Sequence, residues 1–484
     1  MNIAIVTDSY YPNMSAAASC MDKFIQKLKH KHSFTIINML NQCEYADLDD
    51  EAIVVYPVSS LLWRWRIKCK DNIKSGKHVF INNLAINLFR IRSLFMTPYA
   101  YPSPIRWSLK AFYNGLEKLH LQKQFDAVIS VSDPICCSFA AKEFKKKHPE
   151  VKWIGYYTDP FTFQPSKYRQ VPFKKHRWKK NFYNEKEAYD TADFNLFTEE
   201  IYKLALTEFK QPVSKTFKMK YVLSEIPYTV IRKENDRSDK IELVYAGMFL
   251  RDKRNPKHCL NILSQIHNIT LDMFVNYSNC NDIVTKYLSL SIRLHPAVSR
   301  ERYNEILTNE FDVLINLGNN VKLQIPSKMM ELLSTGRPII NFYQLKDVHY
   351  AMIEKYPLGI NIGPNDADAV ERVSEFCKQM KGKRLSFEEV EALFPENTMD
   401  SQLALLEKYT SPEELIAAVA DVDAMIIRSD KATKEVIDAA KKLKVIVRAG
   451  AGYDNIDLQA CTDHGVVAMN TPGQNSNAVA ELVF

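Results

Sequence analysis

The sequence predicts an α/β protein made of two doubly wound units that face a cleft, followed by a smaller C-terminal α/β fragment. Three observations carry this. Short apolar runs alternate with amphipathic segments, the pattern of a parallel sheet with crossover helices. The pattern restarts after the polar stretch Lys233-Glu234-Asn235-Asp236-Arg237-Ser238. Within the second half, Gln324 to Ile340 reads as one helix-to-strand turn of such a layout. The expected division is 1–235, 236–401 and 402–484.

In the first unit the runs Ile3–Val6, Thr35–Ile37, Ala127–Val131, Trp153–Tyr157 and Phe194–Phe197 are predicted strands. The start, Met1-Asn2-Ile3-Ala4-Ile5-Val6-Thr7-Asp8, lacks the basic flank and long apolar core of a signal peptide and reads as a first buried strand. Leu84 to Tyr101 is an aromatic-rich insertion, read as a helix pair on the acceptor side or as a core helix. In the second unit the predicted strands are Ile241–Ala246, Leu271–Val275, Ile292–Leu294, Val313–Asn316 and Ile339–Phe342. Pro326 and Ser327 suit a first helical turn, where a missing N–H costs nothing and a hydroxyl can cap free amides. Gly336 and Pro338 stop that helix, and Ile339-Ile340 starts the next strand. Glu331, one turn inside, is placed to accept two hydrogen bonds from a vicinal diol such as a ribose.

A chain of 484 residues with 46% hydrophobic and 25% charged residues is globular rather than disordered, and no apolar run is long enough to span a bilayer. Its nine cysteines show no metal-ligand spacing, so reduced thiols and a cytoplasmic setting are expected. The net charge of +7 is unevenly placed. Arg64, Arg66, Lys68, Lys70, Lys74 and Lys77 stand beside Trp63 and Trp65; Arg90, Arg92, Arg106 and Lys110 are interleaved with Phe95, Tyr99, Tyr101 and Trp107; and Lys174 to Lys180 forms a third basic group. Each reads as a solvated basic face, or as a surface for an anionic membrane or a diphosphate-linked lipid. No recognition motif accompanies the charge, so no nucleic-acid partner is expected.

The run Phe311-Asp312-Val313-Leu314-Ile315-Asn316-Leu317-Gly318-Asn319, followed by Gln324-Ile325-Pro326-Ser327-Lys328 and Glu331-Leu332-Leu333-Ser334-Thr335-Gly336-Arg337-Pro338, resembles the donor-sugar domain of bacterial GT-B glycosyltransferases. It is most similar to the retaining group that builds surface polysaccharides, families one and four. The resemblance implies two Rossmann-like domains, a nucleotide-diphosphate sugar (UDP- or GDP-linked) as substrate, no cofactor, and a saccharide or lipid-linked acceptor met in the cytoplasm or at the inner membrane face. It also implies that Glu331 holds the ribose, that Lys253 binds phosphate, and that Val298, within His295 to Ser299, contacts the base through its backbone. Tyr156-Tyr157-Thr158-Asp159-Pro160-Phe161 resembles an acceptor-side segment of this group, and so does Ser130 to Pro134. Departures are visible: Leu323 stands where many relatives have another glutamate, with Gln324 beside it; Met248 follows Gly247 where an arginine is common; and Tyr11 to Ser19 lacks the glycine of the corresponding loop.

The residues themselves point to the same chemistry. Gly247 allows close backbone approach, and Arg251, Lys253 and Arg254 can meet phosphate oxygens with charge-assisted hydrogen bonds. Breaking an anomeric bond calls for cations aimed at the leaving diphosphate, a role that Lys328 and the amides around Ser327 suit. No Asp-x-Asp pair suited to a Mg²⁺ bridge is seen, and no metal site is expected. Asp159, at a strand's carboxyl end, can orient or deprotonate an acceptor hydroxyl; capping the next turn is the plainer use of such an aspartate. Two alternatives remain beside transfer: an inactive nucleotide-sugar-binding scaffold, and a sugar-nucleotide epimerase on the same fold.

From about Leu403 the chain resembles D-3-phosphoglycerate dehydrogenase, a D-2-hydroxyacid dehydrogenase. The matching text is Asp421 to Ser429, Arg448 to Asp457 and Asn470 to Ser476, within a stretch of about 80 residues. Arg428, Ser429, Gly450 and Gly452 match that family's substrate-phosphate contacts. The family's Gly-x-Gly-x-x-Gly turn and its catalytic arginine, glutamate and histidine are not in the sequence, so a fused fragment without dehydrogenase activity is expected.

Overall fold

The computed structural model describes the chain except residues 12–13, 41–49, 60, 101–105, 133, 165–167, 169–172, 227–239, 322–326, 411–414, 417–418, 428–429, 449–451 and 473–484, and the side chains of 62, 89–90, 92–100, 106–107 and 406–410. The linker 233–238, Leu323, Gln324, Pro326, Arg428, Ser429, Gly450 and the Gly473 to Ser476 part of the dehydrogenase-like text lie outside the described residues, as do the side chains of Arg90, Arg92, Phe95, Tyr99, Tyr101, Arg106 and Trp107. The chain divides into two compact units, Met1–Met399 and Asp400–Phe484.

The first unit holds two parallel sheets. The first contains β1 (Asn2–Thr7), β2 (Ser33–Met39), β3 (Ile53–Val58), β4 (Ala127–Ser132), β5 (Lys152–Tyr157), β6 (Phe194–Phe197) and β7 (Thr216–Lys218), in the order β3-β2-β1-β4-β5-β6-β7. The second contains β8 (Ile241–Phe249), β9 (Ile269–Ser278), β10 (Ile292–Pro296), β11 (Val313–Leu317), β12 (Ile339–Phe342) and β13 (Gly359–Ile362), in the order β10-β9-β8-β11-β12-β13. In both, strand order reverses beside the first strand, and in open α/β sheets the crevice at that reversal is where ligands bind. β1 and β11 are buried at every position, as central strands covered on both faces must be. All ten predicted strands are present; β3, β7 and β13, each at a sheet edge, are additional.

Helices on both faces complete the cores. Phe112, Leu116, Phe139, Phe144 and Trp153 are buried around the first sheet, and Leu260, Leu271, Ile315, Ile340 and Val373 around the second. Each such side chain contributes about 1.5–3 kcal/mol by leaving water. A third cluster, with Leu223, Met329, Leu333, Val390 and Phe394, ties the end of the unit to the helix Lys328–Ser334. That helix stops at Gly336, whose φ is +68°; a Cβ there would lie 2.0 Å from the Leu385 carbonyl oxygen, so only glycine fits.

The second unit is a three-stranded parallel sheet, β14 (Ala424–Ile427), β15 (Val445–Arg448) and β16 (Val467–Asn470), in that order. Met425, Ile427, Val436, Ile437, Ile446 and Cys461 form its core. No described helix in the chain is long and apolar enough to cross a membrane.

Candidate functional site: a cleft at the strand ends

The carboxyl end of β8 starts the site. The pairing of β8 with β9 slips between Gly247 and Met248, which turns the chain out of the sheet. A Cβ on Gly247 would sit 2.9 Å from the Tyr245 hydroxyl and 3.1 Å from Lys328 Nζ, so the glycine makes room for the lysine. The next loop is pinned by hydrogen bonds from Leu250 N to Arg254 O (3.1 Å) and from Arg254 N to Leu250 O (2.6 Å). Asn320 N donates to Lys253 O at 2.9 Å, which joins this loop to the one after β11. The Arg254 guanidinium donates twice to Asn319 Oδ1, at 3.1 and 3.0 Å.

Beside these cations stands Lys328, its Nζ 5.0 Å from the ring centroid of Tyr245 and 5.9 Å from that of Tyr303. Burial, with Arg254 and Arg300 nearby and Glu331 opposing them, pushes its pKa down to about 7. Glu331 has both oxygens engaged: Arg300 Nη2 donates to one at 2.7 Å and the Tyr303 hydroxyl to the other at 3.0 Å. Ser327 departs from the expected cap. Its backbone is already helical and its hydroxyl makes no cap bond; it lies instead against the Cys20 thiol from the opposite half.

The facing wall comes from the first sheet. Ser15 caps the helix Ala16–Leu28 through Ala18 N, and its own hydroxyl donates to Asp8 at 2.6 Å, at the end of β1. Small residues Ala16 and Ala17 and the buried Cys20 then line the cleft. Thr158 and Asp159 follow β5, with Thr158 Oγ1 donating to Ser132 O at 3.0 Å. Behind Asp159 the chain is held by the buried Glu185, which accepts from Phe161 N (3.3 Å), Thr162 N (2.9 Å) and the Tyr189 hydroxyl (2.7 Å). Burial pushes the Glu185 carboxyl up despite these bonds.

Together these walls enclose a cavity of about 240 Å³ in which Asp159 of one half faces Lys253, Arg254 and Ser327 of the other. Lys328, Gly247 and Glu331 adjoin it through the contacts above. Of the nine expected site residues, Asp159, Lys253, Arg254 and Ser327 line it; Arg251 and Val298 neither line it nor adjoin it through these contacts. Arg251 is drawn off by an ion pair with Asp282, and its backbone N donates to Asn279 Oδ1 at 2.8 Å. Val298 packs, half-buried, on the cluster that contains Leu333. Nearby, His295 Nε2 lies 2.5 Å from Asp272 Oδ1, and its ring stacks on Phe274 at 4.8 Å.

Sequence reasoning missed Asp8, Cys20, Arg300, Tyr303 and Asn319. Only Ser299 hinted at the arginine and tyrosine, because a helix-capping serine sets the start of the helix Arg300–Glu305 that carries both. Away from the cleft, among the described residues, His120, His148 and Glu150 come close enough to hold a metal ion. However, Phe125 N donates to His120 Nδ1 at 3.0 Å, so the neutral ring carries its proton on Nε2 and offers a metal no lone pair there.

The arrangement of the first unit, two parallel doubly wound sheets with a cleft at their strand ends, is the GT-B fold. Solved glycosyltransferases share it over most of the chain. The sucrose-phosphate synthase of Thermosynechococcus elongatus superposes with a TM-score of 0.58 at 13% identity, covering 86% of this chain and 99% of that one. The lipopolysaccharide outer core galactosyltransferase WaaB, in its apo form, gives 0.52 at 11%, covering 84% and 98%. HepE of Anabaena, solved with UDP and glucose, gives 0.53 at 10%, covering 84% and 99%.

The C-terminal part is similar to a different group. The family model of the D-isomer specific 2-hydroxyacid dehydrogenase catalytic domain matches residues 387–484. The D-3-phosphoglycerate dehydrogenase of Sus scrofa is 52% identical over 85 residues, 17% of this chain and 16% of that protein. The chloroplastic enzyme 2 of Arabidopsis thaliana is 55% identical over 73 residues, 15% and 12% respectively. The chain thus spans about a sixth or less of the length of these relatives.

Proposed function

We propose that residues 1–399 transfer a sugar from a nucleoside-diphosphate donor to a saccharide or lipid-linked acceptor, with retention at the anomeric carbon. The observation that carries this is the facing of unlike chemistry across one cavity: Lys253 and Arg254 on one wall, Asp159 on the other. In this reading Lys253, Arg254 and Lys328 stabilise the departing diphosphate. Gly247 lets the donor approach the backbone, and Glu331 takes the ribose diol in exchange for its present partners. Asp159 orients the acceptor hydroxyl or accepts its proton. Arg251 contributes only after leaving Asp282, and Val298 only through its backbone. The acceptor would be met in the cytoplasm or on the inner membrane face. UDP or GDP is the expected nucleotide; HepE was solved with UDP.

The test is a calorimetric and thermal-shift titration of the whole chain with UDP, GDP, ADP and CMP, beside Glu331→Ala. Selective stabilisation by one nucleotide, lost in the variant, supports the reading; no response to any of the four refutes it. Product analysis with and without acceptor then separates transfer from epimerisation. A binding-only scaffold is the second reading, favoured by the engagement of both Glu331 oxygens and the withdrawal of Arg251. Nucleotide binding without turnover would support it.

For the C-terminal unit we infer no hydride transfer. Among residues 400–472 no Gly-x-Gly-x-x-Gly turn follows a strand, and this turn is what cradles a dinucleotide pyrophosphate. Absence of NAD⁺-dependent oxidation of 3-phosphoglycerate by the whole chain is the expected result.

A further inference from the structure

The helix Val79–Ala100 wears its amphipathy the wrong way round for a core helix. Phe80, Leu84, Leu88 and Ile91 recur at the spacing of one helical face, and Ile81 borders it, so all five fall within an arc of about 100°. That face is turned to water, with Phe80 81% and Ile81 64% exposed. The buried face carries Asn82 and Ile86, each 8% exposed. Asn82 is buried for a reason: its Nδ2 donates to Lys77 O and His78 O, both at 3.0 Å, and locks the turn from the preceding helix Leu61–Lys74. Gly76 and His78 in this turn have positive φ, +72° and +46°, which fold the two helices back on each other. The orientation of the apolar stripe is therefore fixed by the hairpin.

The partner helix adds charge. Leu61, Arg64, Trp65 and Lys68 follow helical spacing and are exposed. Lys70 and Lys74 are exposed as well, and Asp71 is the one acid between residues 61 and 91. A contiguous apolar patch left in water marks an interaction surface. The cations decide which: a second copy would set like charge against like, whereas an anionic lipid surface receives both the apolar stripe and the cations.

We propose that the hairpin 61–91 docks this chain on an anionic bilayer, with the Phe80–Leu84–Leu88 face sunk into the headgroup boundary and Arg64 and Lys68 on lipid phosphates. The helix lies in the surface and does not cross it. The proposal is independent of the donor-site reading, because docking is measured without nucleotide, so each can fail alone.

The experiment is vesicle co-sedimentation of the whole chain with pure phosphatidylcholine, and with phosphatidylglycerol and phosphatidylcholine in equal parts. Binding is expected to the anionic vesicles only and to weaken as salt is raised. Arg64→Ser and Lys68→Ser should each cost about fivefold in partition. Phe80→Ser with Leu84→Ser should cost about tenfold or more, with little change in melting temperature because Phe80 is 81% and Leu84 53% exposed. No binding to anionic vesicles, equal binding to both kinds, or full binding by the Phe80/Leu84 variant would overturn the proposal. A concentration-dependent dimer that the same variant abolishes would overturn it in favour of a second copy.

Discussion

Lys328 makes the proposed donor site testable by pH alone. Its value of about 7 leaves the ligand-free amine about half charged at neutral pH and mostly neutral above about pH 8. A diphosphate beside it restores the ammonium, so binding takes up a proton wherever the free amine is neutral. Affinity for a nucleotide sugar should then fall by up to about tenfold per pH unit above about pH 7 and level off below about pH 6. A nucleotide sugar is the cleaner ligand, since a terminal phosphate has its own ionisation near about pH 6.

The stability effect has a definite sign. The folded-state value lies below the unfolded one, so the unfolded chain holds the extra proton between pH 7 and 10.5. The penalty is full below about pH 7 and is relieved as pH rises towards the unfolded value. At about 1.4 kcal/mol per unit, the shift bounds the cost of charging Lys328 in the ligand-free cleft at about 5 kcal/mol. Lys328→Met should raise the melting temperature at pH 7, lose nucleotide affinity and lose its pH slope. Calorimetry across this range, in two buffers of different ionisation enthalpy, reads both affinity and proton uptake. An affinity that stays constant from about pH 7 to 9 with no proton uptake, or a variant with the wild-type slope, would refute the reasoning.

Other expectations are simpler. Glu331→Ala should weaken nucleotide binding by about tenfold or more, read by calorimetry, because a ribose diol loses a charged acceptor. Asp159→Asn should leave the nucleotide dissociation constant within about threefold while transfer falls by about a hundredfold, read by product formation. Glu185→Ala leaves two backbone amides and the Tyr189 hydroxyl without their acceptor and should cost about 3 kcal/mol or more in urea denaturation. Gly336→Ala forces a left-handed backbone and a clash with Leu385 O, and should cost at least about 2 kcal/mol by the same measurement.

The fold was legible because its central strands are unbroken apolar runs. β1 and β11 need no partner information to be read, since burial on both faces leaves no polar positions. β3, β7 and β13 were missed at the sheet edges: β3 carries exposed and half-exposed residues and a proline, while β7 and β13 are only three and four residues long. The cationic wall of the cleft was legible in part. Gly247, Lys253, Arg254 and Lys328 are set by local signals, a strand end, a cationic loop and a helix start. Arg251 shows where such reading stops, because the acid that draws it away, Asp282, lies 31 residues further on. Cys20 and Asn319 belong to the cleft only through tertiary contacts, which no spacing in the chain encodes, and Arg300 is signalled locally only by the capping Ser299.

The junction of the two resemblances makes the same point about unit boundaries. The dehydrogenase family model begins at residue 387, yet the division by packing falls after Met399. Residues 387–399 are held by the first unit: Val390 and Phe394 are buried in its third cluster, Asn397 Nδ2 donates to Tyr221 O at 2.8 Å, and Leu223 N donates to Asn397 O at 2.8 Å. Ser386 and Glu389 close a capping box that starts the helix Phe387–Leu393 locally. A cut placed at the start of the sequence match would therefore remove two core side chains and the hydrogen-bond partners of the Tyr221 carbonyl and the Leu223 amide. Burial alone puts about 4 kcal/mol or more on that loss, so the packing boundary is the one a stability experiment should recover.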